Sequence, residues 1–147
     1  MNTQNYTQKT VEAIQNAQNI ARENDNQSLV PEHLLYSLLD QDGGLIPSLF
    51  GKMGIDCNTV LGELDSYIAT LPKVSGGEMY LSSETDRVIR TAEKTAKSMN
   101  DEYVSVEHLM LGIFTNMTPE IRKIFNTHGI TCLLYTSPSP RDRSVSR

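Results

Sequence analysis

The strongest constraint on this chain is an internal duplication: residues 10–56 match residues 85–131 at one constant offset, without a gap. This comparison gives 11 identical pairs out of 47. In most of the other pairs the two residues have the same polarity, so the two segments share one pattern of buried positions. One helical unit is therefore predicted to occur twice. The identical pairs are Thr10/Thr85, Ile14/Ile89, Ala17/Ala92, Ala21/Ala96, Glu32/Glu107, His33/His108, Leu34/Leu109, Ile46/Ile121, Phe50/Phe125, Gly54/Gly129 and Ile55/Ile130.

Apolar residues recur in each unit at the spacing of amphipathic helices, and no stretch shows the alternation typical of a strand. The predicted fold class is all-α, with two pseudo-symmetric four-helix repeats at residues 7–71 and 82–131. The first helix is predicted at residues 9–23 and its copy at residues 84–99. The apolar face of the first helix consists of Val11, Ile14, Ala17 and Ala21, and that of the fourth helix, residues 58–71, consists of Leu61, Leu64, Ile68 and Leu71.

The predicted helix ends follow from residue type. Pro31 suits the first position of the second helix, because its φ is fixed and it lacks an N–H group. Gly54 and Gly129 suit left-handed helix ends after the third helix of each repeat. Hydroxyl side chains that can accept a hydrogen bond from an unpaired backbone N–H group precede three helices. The predicted N-caps are Thr7, Ser82 and Ser105.

Residues 132–147 differ in character from the rest of the chain. They hold a Ser-Pro-Ser-Pro run and three arginines set among serines, a composition that stops helices. The string CLLYTSPSPRD resembles a transposon-type sequencing adapter translated in frame, so we treat this segment as a non-native tail outside the fold. The second repeat is therefore expected to lack its fourth helix and to leave its core open.

The charge of the remaining chain excludes some partners. Residues 1–131 hold 10 Lys and Arg against 17 Asp and Glu, a formal charge of −7. An acidic surface repels phosphate backbones, which argues against nucleic-acid binding. No apolar stretch approaches the length of a membrane span, and the N-terminus lacks the basic and apolar regions of a signal peptide. We expect a cytoplasmic, monomeric fragment with neither a membrane nor a nucleic-acid partner.

The sequence shows no pattern typical of catalysis. Cys57 and Cys132 do not form a Cys-x-x-Cys spacing, and there is no His-Glu-x-x-His spacing to hold a metal ion. Residues 44–52 superficially resemble a phosphate-binding loop, but Met53 stands where a magnesium-binding hydroxyl belongs. The fragment is therefore predicted to have no enzymatic activity, no metal and no cofactor.

A duplicated Glu-His-Leu at residues 32–34 and 107–109 is the remaining candidate for function. Glu32 and Glu107 fall in the first turns of their helices, where a carboxylate interacts favourably with the helix dipole and can close a cap. Alternatively, the two carboxylates mark related surface sites that grip a cationic or phosphorylated-arginine group of a partner. His33 and His108 are expected to be buried histidines of the core rather than ligands.

The chain resembles, over residues 1–131, the amino-terminal repeat domain of Clp ATPases, and within them the ClpB-like disaggregases. The strings that carry the resemblance are Tyr-Thr-Gln-Lys at 6–9, Asp-Asn-Gln at 25–27, Glu-His-Leu-Leu at 32–35, Leu-Leu-Asp-Gln-Asp-Gly-Gly at 38–44, Leu-Pro-Lys-Val-Ser-Gly at 71–76 and Tyr-Val-Ser-Val-Glu-His-Leu at 103–109.

The resemblance implies a domain that captures unfolded or aggregated polypeptides. In such proteins it is tethered in front of two ATPase modules that form a hexamer and use ATP and magnesium, and no such module lies in this fragment. Positions that handle client polypeptides in the family match Thr7, Asp101 and Glu107 here. For Thr7 and Asp101, helix capping and loop hydrogen bonding are equally good explanations.

Two alternatives remain open. A ClpC-like, protease-linked unfoldase would use the same domain to bind adaptor proteins and phosphorylated arginine through Glu32 and Glu107. The linker at residues 71–76 and the Asp-Gly-Gly-Leu-Ile-Pro stretch at residues 42–47 favour the ClpB-like branch. The second alternative is a stand-alone helical interaction module with no ATPase attached.

Overall fold

Helices make up the two repeats, as the sequence predicts. The computed structural model describes residues 5–41, 44–74 and 76–130. Residues 132–147, and with them the prediction that the second repeat lacks its fourth helix, lie outside the described residues. The first repeat contains α1 (Gln8–Glu23), α2 (Pro31–Leu39), α3 (Leu45–Lys52) and α4 (Cys57–Ala69), and the second contains α5 (Ser83–Ser98), α6 (Val106–Thr115) and α7 (Pro119–His128).

The helix ends confirm the predicted capping residues at α1 and α5, whereas Ser105 occupies the N-cap position of α6 without a capping hydrogen bond to its side chain. Thr7 and Ser82 are the N-caps of α1 and α5, and their side chains accept hydrogen bonds from the backbone N–H groups of Thr10 and Thr85. Gly54 and Gly129 have φ angles of 79° and 69°, in the left-handed region that glycine adopts without strain. α1 and α5 thus begin and end at equivalent positions of the two repeats, as the duplication requires.

Short parallel pairings of extended chain join the repeats, and the expectation of no strand pairing is wrong. β1 (Ser28–Leu29) pairs with β2 (Tyr80–Leu81), and Tyr6 forms an isolated parallel bridge with Val104. Leu29 is equivalent to Val104 and Leu81 is equivalent to Tyr6, so the two pairings are copies of each other. Segments of two residues are too short to show an alternating pattern in sequence.

Two buried threonines repeat this exchange between the halves. The Thr10 hydroxyl donates to the Val104 carbonyl at 3.0 Å, and the Thr85 hydroxyl donates to the Leu29 carbonyl at 2.6 Å. Both threonines are 0% exposed. Each repeat therefore supplies a hydroxyl to the loop of the other, which explains why threonine occurs at both positions on otherwise apolar helix faces.

The apolar core confirms most of the predicted faces. Ile14, Ala17 and Ala21 of α1 are buried, whereas Val11 is only half-buried. In α4 the buried face consists of Val60, Leu64 and Ile68. Of the other predicted residues, Leu61 is half-buried, and Leu71 lies beyond the end of α4 at Ala69.

The described part of the second repeat has a buried apolar core, and the prediction that this core is open where the fourth helix is missing stays a prediction. Leu109, Met110 and Ile113 of α6 are each 0% exposed. α6 lies among α1, α2, α3 and α5. The ring of Phe114 packs at a tilt on that of Phe125 in α7, with centroids 5.1 Å apart. Packing on the helices of both repeats thus buries the apolar face of α6.

Candidate functional site

The loops that follow α1 and α5 place the candidate polar side chains. Asp25 and Asn100 adopt left-handed φ angles of 56° and 59°. The residues that follow are Asn26 and Asp101. Their backbone N–H groups donate hydrogen bonds to the carbonyls of Ala21 and Ala96, at 2.8 and 2.9 Å. This is the Schellman closure of a helix end. It fixes the Asn26 and Asp101 side chains at equivalent points of the two repeats.

Each of these side chains accepts a hydrogen bond from a buried histidine. His33 accepts a hydrogen bond at Nδ1 from the backbone N–H of Val30 (3.0 Å), so its other nitrogen, Nε2, carries the proton and donates to Asn26 Oδ1 (3.0 Å). His108 likewise accepts from the backbone N–H of Ser105 (2.9 Å) and donates from Nε2 to Asp101 Oδ2 (2.9 Å). The duplicated histidines therefore cap α2 and α6 by accepting from the backbone N–H of the N-cap residue.

The burial of the two histidines matches our expectation. His33 is 0% exposed and His108 is 3% exposed. Burial lowers the pKa of His33 to about 4, so this ring stays neutral at physiological pH. Its partner is a neutral amide, whereas the partner of His108 is a carboxylate whose residue lies on the surface. The hydrogen-bond partner of the histidine is thus a neutral amide in the first repeat and an acidic group in the second.

Thr7 lies against the same second-repeat loop. Its backbone N–H donates to the Val104 carbonyl at 3.0 Å, and its side chain caps α1. A structural role for Thr7 is therefore established by the geometry. Its role in binding a client stays a prediction, as it does for Asp101.

The two glutamates of the duplicated motif lie in different surroundings. Glu32 and Glu107 occupy the second position of their helices, so the histidines and not the glutamates close the caps, contrary to one of our interpretations. Glu32 is 1% exposed and accepts a 2.6 Å hydrogen bond from the Thr118 hydroxyl, so the expectation of a surface site is wrong for Glu32. Glu107 is half-buried.

The charge state of Glu32 reflects its burial. Desolvation raises the pKa of its carboxyl, and the nearby Glu120 and Glu84 raise it further, while the hydrogen bond from Thr118 acts in the opposite direction. The residue that corresponds to Thr118 in the first repeat is Gly43, which has no hydroxyl group. The sequences around the two glutamates therefore differ at this position.

A shallow groove opens beside Asp101. It has a volume of about 270 Å³. Its apolar lining comes from Tyr6, Ala96 and Val104, which are buried. Exposed charged residues surround this lining. They are Glu93, Lys97, Asp101 and Glu102. We call this the second-repeat groove.

Two groups of the groove were not singled out from the sequence. The Tyr6 hydroxyl donates a 2.6 Å hydrogen bond to Glu93, and burial raises the pKa of that hydroxyl. Tyr6 precedes the first repeat and Glu93 lies in the second, 87 positions later in the chain, so only the fold brings them together. The constant offset of the duplication could have indicated the relation between Asn26 and Asp101, because these residues occupy equivalent positions.

Other kinds of site receive no support from the described residues. Among residues 5–41, 44–74 and 76–130, no group of three or more His, Cys, Asp or Glu side chains is arranged to hold a metal ion. None of the described helices combines the length and the apolar character needed to cross a membrane.

The family follows from this fold and from direct comparison. The family model described as the Clp repeat (R) N-terminal domain matches residues 5–128, and the chain belongs to this family. The chain is 45% identical over 115 residues to the chaperone protein ClpB of Porphyromonas gingivalis. The matched region covers 78% of this chain and 13% of that relative. The chain thus spans a small part of the relative's length.

Solved structures share the fold at low sequence identity. The N-terminal domain of Hsp104 from Candida albicans is similar with a TM-score of 0.82 at 19% identity, over 98% of this chain and 95% of that one. A complex of the ClpV N-domain with a VipB peptide is similar with a TM-score of 0.71 at 13% identity, over 97% and 91% of the two chains. These likenesses concern the fold alone.

Proposed function

We propose that this chain is the client-binding amino-terminal domain of a ClpB-like disaggregase, and that the second-repeat groove holds segments of unfolded or aggregated polypeptide. The observation that carries the proposal is an apolar groove with charged edges on a chain whose relative is a chaperone. In the full-length protein, hexameric ATPase modules that use ATP and magnesium would thread the captured client.

The residues divide their roles in this proposal. Asp101 presents a carboxylate at the edge of the groove, and His108 fixes its direction. Thr7 anchors the start of α1 to Val104, which lines the groove. Glu107 precedes His108 in the first turn of α6. Asp101 is therefore the residue whose removal should weaken binding most directly.

The shape of the groove favours weak and adaptable binding. A groove of about 270 Å³ is slightly smaller than the usual small-molecule site. A domain that passes its client to a motor must also release it. Shallow apolar contacts with a few polar groups at the edge allow many sequences to bind with modest affinity.

The test measures client binding and stability together. Reduced, carboxymethylated lactalbumin, which stays unfolded, is labelled with a fluorophore and titrated with the protein while anisotropy is recorded. Asp101→Ala should weaken binding about fivefold, corresponding to about 1 kcal/mol. Asn26→Ala makes the matching change in the first repeat and should leave the affinity unchanged. Thermal melts show whether each variant remains folded.

Two results would contradict the proposal. One is unchanged client affinity of a folded Asp101→Ala protein, and the other is an equal loss in Asn26→Ala. A parallel titration with a phosphoarginine peptide tests the ClpC-like alternative. Saturable binding that disappears in Glu32→Ala and Glu107→Ala would favour that alternative, although the bond of buried Glu32 to Thr118 must first break.

A further inference from the structure

The linker between the repeats lies against the loop after α1. The Asn26 side-chain amide donates to the Pro72 carbonyl at 3.2 Å, and the Val74 N–H donates to the Asp25 carbonyl at 2.8 Å. Lys73 Nζ donates to the Asn24 carbonyl at 3.1 Å. Residues 24–26 thus bind an extended segment of the chain that carries a basic side chain.

The approach of the linker to this loop is close at a second point. The Gln27 side-chain amide donates to the Glu78 carbonyl at 3.2 Å. A Cβ atom at Gly77 would meet the same amide nitrogen, so a larger residue there would have to displace the end of the Gln27 side chain. The loop of the first repeat therefore has an occupant of its own. Two side-chain amides of the loop donate to main-chain carbonyls of the linker, and two main-chain carbonyls of the loop accept from Val74 and Lys73.

The equivalent loop of the second repeat, residues 99–102, has different chemistry. Asn26 and Gln27 correspond to Asp101 and Glu102, which line the second-repeat groove. A third amide, Gln18, corresponds to Glu93. In the part of the chain that the structure describes, no residue makes the linker-type hydrogen bonds to this loop.

The three changes from amide to carboxylate reverse the preference of the groove. An ionised carboxylate accepts hydrogen bonds and cannot donate one to a carbonyl. With Lys97 as the nearby cation, the four charged residues of the groove have a formal charge of −2. Such a surface favours main-chain N–H groups and basic side chains and disfavours acidic ones.

We propose that the second-repeat groove binds an extended polypeptide segment that carries Lys or Arg, lying against residues 99–102 as the linker lies against residues 24–27. This rests on the proposed function and specifies which client segments bind. Tyr6, Ala96 and Val104 contact apolar side chains of the segment, and Glu93, Asp101 and Glu102 contact its basic groups.

The experiment uses three short labelled peptides that alternate Val with Arg, Gln or Glu. The full chain is titrated into each, and fluorescence anisotropy is recorded. The Val-Arg peptide should bind, the Val-Gln peptide should bind roughly tenfold more weakly, and the Val-Glu peptide should not bind. The preference for Arg should fall as salt is raised, because the charges lie on the surface.

A triple variant with Glu93→Gln, Asp101→Asn and Glu102→Gln gives the second repeat the amides of the first. It should fold, because Asn26 shows that an amide oxygen can accept from the histidine, and glutamine can still accept from Tyr6. We expect it to lose the preference for Arg, with roughly tenfold weaker binding of the Val-Arg peptide.

A control variant removes the same charge elsewhere, with Glu12→Gln, Glu23→Gln and Asp65→Asn at exposed sites of the first repeat. It should bind the Val-Arg peptide like the unmodified chain. An equal loss in the control, or no loss in the groove variant, overturns the inference. If unfolded lactalbumin binds while the three peptides do not differ, the inference fails and the proposed function stands. If neither lactalbumin nor any peptide binds, both fail.

Discussion

His33 and His108 show how a single residue type can be duplicated for a structural reason and still leave the two copies with different properties. Both rings cap a helix through Nδ1 and both donate from Nε2. The sequence indicated that they are buried, because a histidine followed by leucines lies on an apolar helix. It could not indicate their capping role, because glutamate or glutamine is the usual residue at that position.

The depressed pKa of His33 predicts a pH dependence of stability. The folded ring binds a proton only near pH 4, whereas an unfolded histidine binds one near pH 6.5. Between these values the unfolded state holds more protons, so the free energy of unfolding falls as the pH is lowered from 6.5 to 4. The maximum effect is about 3 kcal/mol. Urea unfolding at pH 7 and pH 5 should show about 2 kcal/mol of this effect.

The control for this prediction is His33→Gln, which can retain the capping hydrogen bond but does not titrate. Glu32 has the opposite effect on the pH dependence of stability. Because burial raises the pKa of its carboxyl, the free energy of unfolding falls as the pH rises above the ordinary pKa of a glutamate. The comparison is therefore made between Glu32→Gln alone and Glu32→Gln combined with His33→Gln. Equal pH slopes for these two proteins would leave no role for His33.

Helices and their connections explain how the two repeats form one core. The helix positions follow closely from apolar spacing and capping residues, since α1 begins one residue before its predicted start. The pairing of the connecting segments could not be predicted from the same signals. The parallel pairings of Leu29 with Leu81 and of Tyr6 with Val104 depend on contacts between segments that are distant in the chain. Such contacts have no local signal.

The hydroxyls of Thr10 and Thr85 should contribute equally to stability. Thr10→Val and Thr85→Val each remove one buried hydrogen bond between the repeats and a second one to the N-cap hydroxyl of Thr7 or Ser82. The carbonyls of Val104 and Leu29 keep their bonds from the backbone N–H groups of Thr7 and Ser82. The expected cost is therefore about 1 to 2 kcal/mol each, measured by urea unfolding.

A matched control for the threonine pair is Thr127→Val on the exposed side of α7, where the expected change is near zero. The double variant tests whether the repeats unfold together. One cooperative transition with a lower midpoint is expected. Two separate transitions, or a loss of stability in only one of the single variants, would show that the two threonine hydroxyls do not stabilise the contact between the repeats equally.

At the scale of the whole molecule, the duplication predicted the architecture but not the inequality of the two halves. Asn26 and Asp101 hold equivalent positions in the sequence, and only the fold shows that the linker occupies the loop at Asn26. The sequence also left the direction of Glu32 open, and packing against the N-terminus of α7 buries it. A twofold pattern in sequence therefore predicts where candidate sites lie, but neighbouring segments decide what lies against each of them.

The central claim is that polypeptide binds to the second repeat and not to the first. The most direct test is a titration of the ¹⁵N-labelled protein with reduced, carboxymethylated lactalbumin, followed in two-dimensional amide spectra. We predict the largest shift changes at residues 99–102 and around Glu93 and Lys97, with residues 24–27 unchanged. Equal changes in both loops, or changes confined to the first repeat, would contradict the claim.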